Sequence, residues 1–163
     1  MDASDKRALM EKLLADIAQS IAVLTRAAHE AREAATHEDA KPENDKDTRA
    51  VEAAYLAGAQ ANRARDLERA AAALAGLALK AFRPGEAIAS SALVELDQEG
   101  SSHWYFLAPQ GGGLRASVGG VEVQVITPQS ALGRELLGKA EGDEVEIEAP
   151  RGAWRARILS IGR

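Results

Sequence analysis

The chain reads as an α+β protein: an N-terminal antiparallel coiled-coil hairpin, then a small antiparallel β domain with one short helix. Three observations predict this. Apolar residues recur at alternating steps of four and three through two segments of roughly 30 residues each. One polar stretch containing Pro42 interrupts the repeat, and Phe82-Arg83-Pro84-Gly85-Glu86 ends it. Beyond that point β-branched residues and turn signals alternate at short intervals. The expected domains are 1–82, a hairpin with an acidic tip loop over 36–48, and 83–163, the β domain.

The first helix follows from a segment, Asp2 to about Ala35, that holds no Gly or Pro and is rich in good helix formers. Met10, Leu14, Ile17, Ile21, Leu24, Ala28, Ala31 and Ala35 form its heptad stripe. The change from large residues to alanine predicts that the helices close together toward residue 35. Pro42 is unfit for a helix interior, and Asn44, Asp45 and Asp47 favour turns and caps. The second helix is expected from Thr48 to Lys80, with Ala50, Ala53, Ala57, Gln60, Ala64, Leu67, Ala71, Leu74 and Ala78 repeating the spacing. Two such helices joined by a short loop pack antiparallel, giving a hairpin about 45 Å long. Leu9, Leu13, Leu77, Leu79 and Phe82 are available to pack its base onto the second domain.

Strands are expected over Leu93–Leu96, Ser102–Leu107, Arg115–Val118, Glu122–Ile126, Glu144–Glu148 and Ala153–Ile161. Gly111-Gly112-Gly113 and Gly119-Gly120 read as hairpin turns. Leu132–Leu137 is the one short helix, with Ser130 suited to its N-cap and Gly138 to its stop.

Composition narrows the function. At 163 residues the chain holds one or two domains. A formal charge of -5 argues against a bare nucleic-acid binder held by phosphate contacts, which is normally basic. It suits a protein partner, or carboxylates that hold a cation. With no cysteine there is neither a disulfide framework nor a thiolate metal site. Met1-Asp2-Ala3-Ser4-Asp5 is unlike a signal peptide, and no apolar run approaches the roughly 18 residues of a membrane span. A cytoplasmic location is expected.

The most specific stretch is Val125-Ile126-Thr127-Pro128-Gln129-Ser130-Ala131-Leu132-Gly133-Arg134-Glu135-Leu136-Leu137-Gly138-Lys139, followed by Glu141-Gly142-Asp143-Glu144-Val145. In order and spacing it resembles the C-terminal domain of the bacterial Gre transcript-cleavage factors, and Ala131 stands where that family commonly has proline. The resemblance extends in architecture to nearly the whole chain. It implies an FKBP-like fold for the β domain and binding to the core of RNA polymerase at the rim of the secondary channel. It further implies a coiled-coil tip whose acids help hold the polymerase's Mg2+ and orient water, so that the polymerase hydrolyses backtracked RNA near its 3′ end. Hard cations prefer carboxylate oxygens, and a metal can activate water and steady the leaving oxygen. No intrinsic cofactor is implied, and the factor is not itself an enzyme.

For the tip, the loop offers Glu43, Asp45 and Asp47, which an extended backbone puts on one side. Asp45 and Asp47 are the candidates for the shared metal. The tip also departs from the family pattern. Counting back from Tyr55 puts Val51 and Thr48 where the family has acids, and the loop is longer and interleaved with Lys41 and Lys46. Arg134 and Lys139 on the small helix, with Asp143, are candidates for the polymerase-docking surface.

Other readings compete. A secondary-channel regulator inserts the same hairpin and modulates synthesis without cleavage. A peptidyl-prolyl isomerase, suggested by the fold type, needs an aromatic-lined pocket, yet alternation splits Trp104, Tyr105 and Phe106 between two faces; with Trp154 they suit core packing. A dimerising scaffold wants Leu or Ile where the second stripe has alanine, so a monomer is expected. His29, His37 and His103 lie too far apart for a local metal motif. Gly111-Gly112-Gly113 lacks the Lys and helix start of a phosphate loop. Arg63, Arg65 and Arg69 beside Asp66 and Glu68 read as a salt-bridged solvent face.

Overall fold

The computed structural model describes residues 1–36, 49–148 and 152–162. Asp2 opens the first helix. Its carboxylate accepts bonds from the amides of Ser4 (2.7 Å) and Asp5 (3.1 Å), and its own amide donates to the Asp5 carboxylate (2.8 Å). This reciprocal cap satisfies orphan amides at the helix start. The bonds from the Asp5 and Ser4 amides hold the Asp2 carboxyl below its ordinary range.

Helix α1 runs Ala3–Thr36 and α2 runs Arg49–Ala75. Of the expected stripes, Met10, Ile17, Ala28, Ala57, Ala64, Leu67 and Leu74 are buried, while Leu14, Ile21, Leu24, Ala31, Ala53, Gln60 and Ala71 are half-buried. The second helix stops five residues before the expected Lys80. Gly76, a weak helix former, donates to Ala72 O, and the Leu77 amide falls back to Leu74 O at 3.1 Å, tightening the last turn. Ala78 therefore lies outside the stripe and is exposed. Among the described residues no helix is long and apolar enough to cross a membrane.

The described chain divides into two compact units, Met1–Leu14 with Ala72–Arg163, and Ala15–Ala71. In the first, Lys6 is the polar anchor. It is 1% exposed, its Nζ donates to Lys80 O at 2.7 Å, and it sits 4.7 Å from the centre of the Phe82 ring. The Lys80 amide in turn donates to Ser91 Oγ at 2.9 Å, and Lys80 Nζ pairs with Glu86. The bond from Lys6 brings the start of α1 to the segment that follows α2, so the two helices are antiparallel. Leu9 and Leu13, as expected, are buried in the same unit, as is Phe82.

Burial pushes the Lys6 ammonium down from 10.5 to about 8, because leaving water disfavours the charged form. The unfolded chain then holds a proton that the folded chain lacks between pH 8 and 10.5, so stability rises with pH across that window. Below pH 8 both states are charged and the penalty is present in full. Urea unfolding midpoints should show a gain of roughly 2 kcal/mol on going from neutral pH toward pH 10, reduced in Lys6→Met. An equal pH response in the two proteins would refute this account. Tyr105, whose hydroxyl burial pushes its pKa up, is common to both and cancels.

Among the described residues six strands follow: β1 Leu93–Gln98, β2 Ser101–Leu107, β3 Arg115–Val118, β4 Val121–Ile126, β5 Glu144–Ile147 and β6 Trp154–Ile161, with α3 over Ala131–Leu136. They form one sheet in the order β3-β4-β2-β1-β6-β5. The sheet is mixed, and the expected all-antiparallel arrangement is corrected at one place. Val118 pairs with Val121 across Gly119 and Gly120, both at positive φ (60° and 81°), as a two-residue hairpin requires. This turn carries β4 back between β3 and β2, so β4 runs parallel to β2, with Phe106 facing Val125. Gly111-Gly112-Gly113 consequently joins strands that are not neighbours and is no hairpin turn.

Alternation sorts the side chains between the two faces. Val94, Leu96, Val145, Ile147, Ala156, Ile158 and Ile161 pack on one face with Leu132 and Leu136 of α3 and with Phe82. Leu93, Phe106, Val123 and Val125, all 0% exposed, fall on the other. Trp104 belongs with Phe106, Tyr105 with the α3 side, so the aromatic run is split as expected.

Candidate functional site

The segment singled out by sequence is built around one carbonyl. As β4 ends, Thr127 O accepts the Ser130 amide at 3.0 Å and the Ser130 hydroxyl at 2.7 Å. Ser130 has the extended backbone of an N-cap (φ -68°, ψ 154°), and its Oγ accepts the Gly133 amide at 3.0 Å. This closes the first turn of α3. A Cβ at Gly133 would lie 1.9 Å from Thr127 O and 2.9 Å from Ser130 Oγ. The strand end and the helix touch backbone to backbone there, and only glycine fits. Sequence reasoning took Gly133 as a matched position without assigning its work; its place one turn after a Ser cap was the available signal.

Removing the Ser130 hydroxyl leaves the Gly133 amide without its acceptor. Ser130→Ala should therefore cost about 1 kcal/mol, read as a lowered urea midpoint with an unchanged slope. No shift of the midpoint would show that the cap is dispensable.

After α3 the chain is fixed from two sides. The Gly138 amide donates to Ile88 O at 3.0 Å and Lys139 O accepts the Ile88 amide at 2.7 Å, tying the helix exit to the buried Ile88. The next turn is locked by Asp143: its Oδ2 accepts the Ala140 amide at 2.8 Å, while Gly142 and Asp143 bond to Ile158. The Asp143 carboxylate thus shapes this turn. Arg134 and Lys139 are exposed, and between them Leu137 is 40% exposed. Arg134 lines a depression of about 430 Å3 with Glu135, Glu146 and Glu148, so its charge sits among carboxylates.

Structure and sequence therefore bring Arg134, Lys139 and Asp143 onto one short stretch, with Asp143 in a turn and the two cations outward. Glu43, Asp45 and Asp47 lie outside the described residues, as does His37. On the first turns of α2, Val51 is 69% and Tyr55 80% exposed. No group of three or more metal-ligating side chains occurs among the described residues.

A family model, described as the C-terminal part of the transcription elongation factors GreA/GreB, matches residues 119–163. The match opens at the β3–β4 turn and takes in β4, α3, β5 and β6, the elements just described. Residues 119–163 are thus similar to the C-terminal part of that family. Over 36 residues the chain is 50% identical to the transcription elongation factor GreA of Nitratidesulfovibrio vulgaris, in its DP4 and Hildenborough strains. The matched chain spans 22% of the length of those curated relatives and 22% of its own. Among solved structures, Gfh1, the GreA factor homolog 1 of Thermus thermophilus, aligns over 94% of both chains at 19% identity and a TM-score of 0.38. Thermus aquaticus Gfh1 aligns over 96% of both at 19% identity and 0.39. The elongation factor GreA/GreB of Nitrosomonas europaea covers 67% of this chain and 89% of its own, at 22% identity and 0.38.

Proposed function

We propose that this protein is a transcription elongation factor that binds core RNA polymerase at the secondary channel. Through the acids of its helical hairpin it stimulates the polymerase to cleave backtracked RNA. The observation that carries the reading is a Gre-type domain over residues 119–163 on a chain whose preceding residues form two long antiparallel helices. The first element supplies docking, with Arg134 and Lys139 as the outward cations. The second supplies reach, since a 27-residue helix is about 40 Å long.

The chemistry belongs to the polymerase. Hydrolysis of a phosphodiester needs a hard cation held by oxygen ligands and a positioned water. Asp45 and Asp47, with Glu43 beside them, supply carboxylates to the polymerase's Mg2+. The factor works as a monomer in the cytoplasm and meets the nascent RNA only through the polymerase. Co-sedimentation with core polymerase, followed by release of short 3′ fragments from a stalled, backtracked complex, tests both halves. Failure to co-sediment removes the reading altogether.

One observation favours a second reading. Thr48 and Val51 stand at the spacing from Tyr55 where the resemblance expects acids. A factor that occupies the channel and modulates synthesis without cleavage binds polymerase equally well but releases no fragments.

A further inference from the structure

The unit of residues 15–71 has a groove along one side where α1 and α2 lie together. Its floor is alanine: Ala22 and Ala28 from α1, Ala61 and Ala64 from α2. Ala28 and Ala64 are buried in the helix contact, and the small side chains leave a channel of about 800 Å3. The rim is cationic from both helices, with Arg26 and Arg32 on α1 and Arg65 on α2. Among the described lining residues Glu68 is the carboxylate, beside guanidiniums from both helices in a chain whose net charge is -5. His29 also lines the groove, 3.5 Å from Glu33, which offsets its charge when protonated. Arg65 is steadied by a 2.8 Å bond to Asn62 Oδ1.

We propose that this groove docks an acidic amphipathic helix of a partner protein. Its small apolar face lies on the alanines and its carboxylates meet Arg26, Arg32 and Arg65. Three features select that occupant. The lining residues recur at helical spacing on both α1 and α2, so the groove is straight and matches a third helix set between two ridges. Alanine allows the close approach that such packing needs. Guanidinium groups bind carboxylates through paired hydrogen bonds, which fixes the register of the incoming helix. A single-stranded nucleic acid fits less well, because none of the described lining residues is an aromatic on which a base could stack. The proposal stands apart from the polymerase reading, since it rests on the shape and charge of the groove.

The test uses the full chain and a fluorescein-labelled synthetic helix of about 20 residues, with an Ala/Leu stripe flanked by glutamates. Its lysine counterpart and an oligouridylate of equal charge serve as comparisons. Fluorescence anisotropy should show the glutamate helix binding about tenfold more tightly than the lysine helix, with a steep loss on adding salt. Arg26→Ala, Arg32→Ala and Arg65→Ala combined should weaken it about tenfold, as should Ala61→Glu, which puts a like charge on the floor. Circular dichroism should show the same helix content in each variant. Equal binding of the two peptides, or unchanged affinity in both variants, overturns the proposal. It is equally overturned if the oligouridylate binds more tightly and loses that binding in the arginine variant. A dimer in sedimentation that the same variants dissolve would assign the groove to a second copy and sink the proposal.

Discussion

Changing Asp45 and Asp47 together to alanine should abolish fragment release from backtracked complexes while leaving co-sedimentation with core polymerase intact. The expected loss is about 100-fold or more in cleavage rate. Groups aimed at developing charge or at a catalytic cation typically contribute that much each in a water-excluded site. On the proposed function docking and chemistry are separable, because the proposed docking residues and the proposed tip acids lie far apart in the chain. Arg134→Glu with Lys139→Glu should raise the concentration needed for half-maximal cleavage about tenfold, with the rate at saturation unchanged, the pattern of lost uniform binding. A double aspartate variant that cleaves at the parent rate would remove the tip from the mechanism. Parent protein that binds and never cleaves would establish the modulator in its place.

Gly133→Ala should be the most damaging single substitution in the described C-terminal domain. The new methyl would meet Thr127 O at 1.9 Å, and that oxygen cannot yield easily because Ser130 holds it through both amide and hydroxyl. Relief requires either unwinding the first turn of α3 or pulling the end of β4 out of register with β2. Overpacking of this kind against backbone costs about 3 kcal/mol or more, and the melting temperature should fall by about 10 °C. Gly138→Ala is the informative contrast. Nothing lies within 4 Å of its added carbon, so only its left-handed backbone (φ +79°) opposes the change. About 1 kcal/mol is expected there. Equal effects at the two positions would mean that contact with Thr127 is not what excludes a side chain from Gly133.

The strands were legible because their signal is local. Arg115–Val118 coincides with the expected span, and the other five strands differ by one or two residues at their ends. The cap at Ser130 was legible for the same reason, since a Ser before an apolar helix start needs only its own neighbours. The premature end of α2 was less so: Gly76 sits in an alanine-rich run that otherwise propagates helix, and the heptad count carried on through it. The parallel pairing of β2 with β4 was hidden altogether, because strand order depends on where a hairpin docks and not on what the hairpin contains.

Periodicity and turn chemistry, read from the chain alone, determined that two heptad helices precede a β domain. They also located the Thr127–Val145 segment that carries the resemblance to the Gre factors. These features depend on interactions between residues close in sequence, so sequence specifies them directly. Three things were decided only when distant residues met: the mixed sheet, the burial of Lys6 against Phe82 and the carbonyl of Lys80, and the backbone contact that forbids a side chain at Gly133. In each, a partner far along the chain, or in a different element, supplies the constraint. That partner's position is a product of the packed structure.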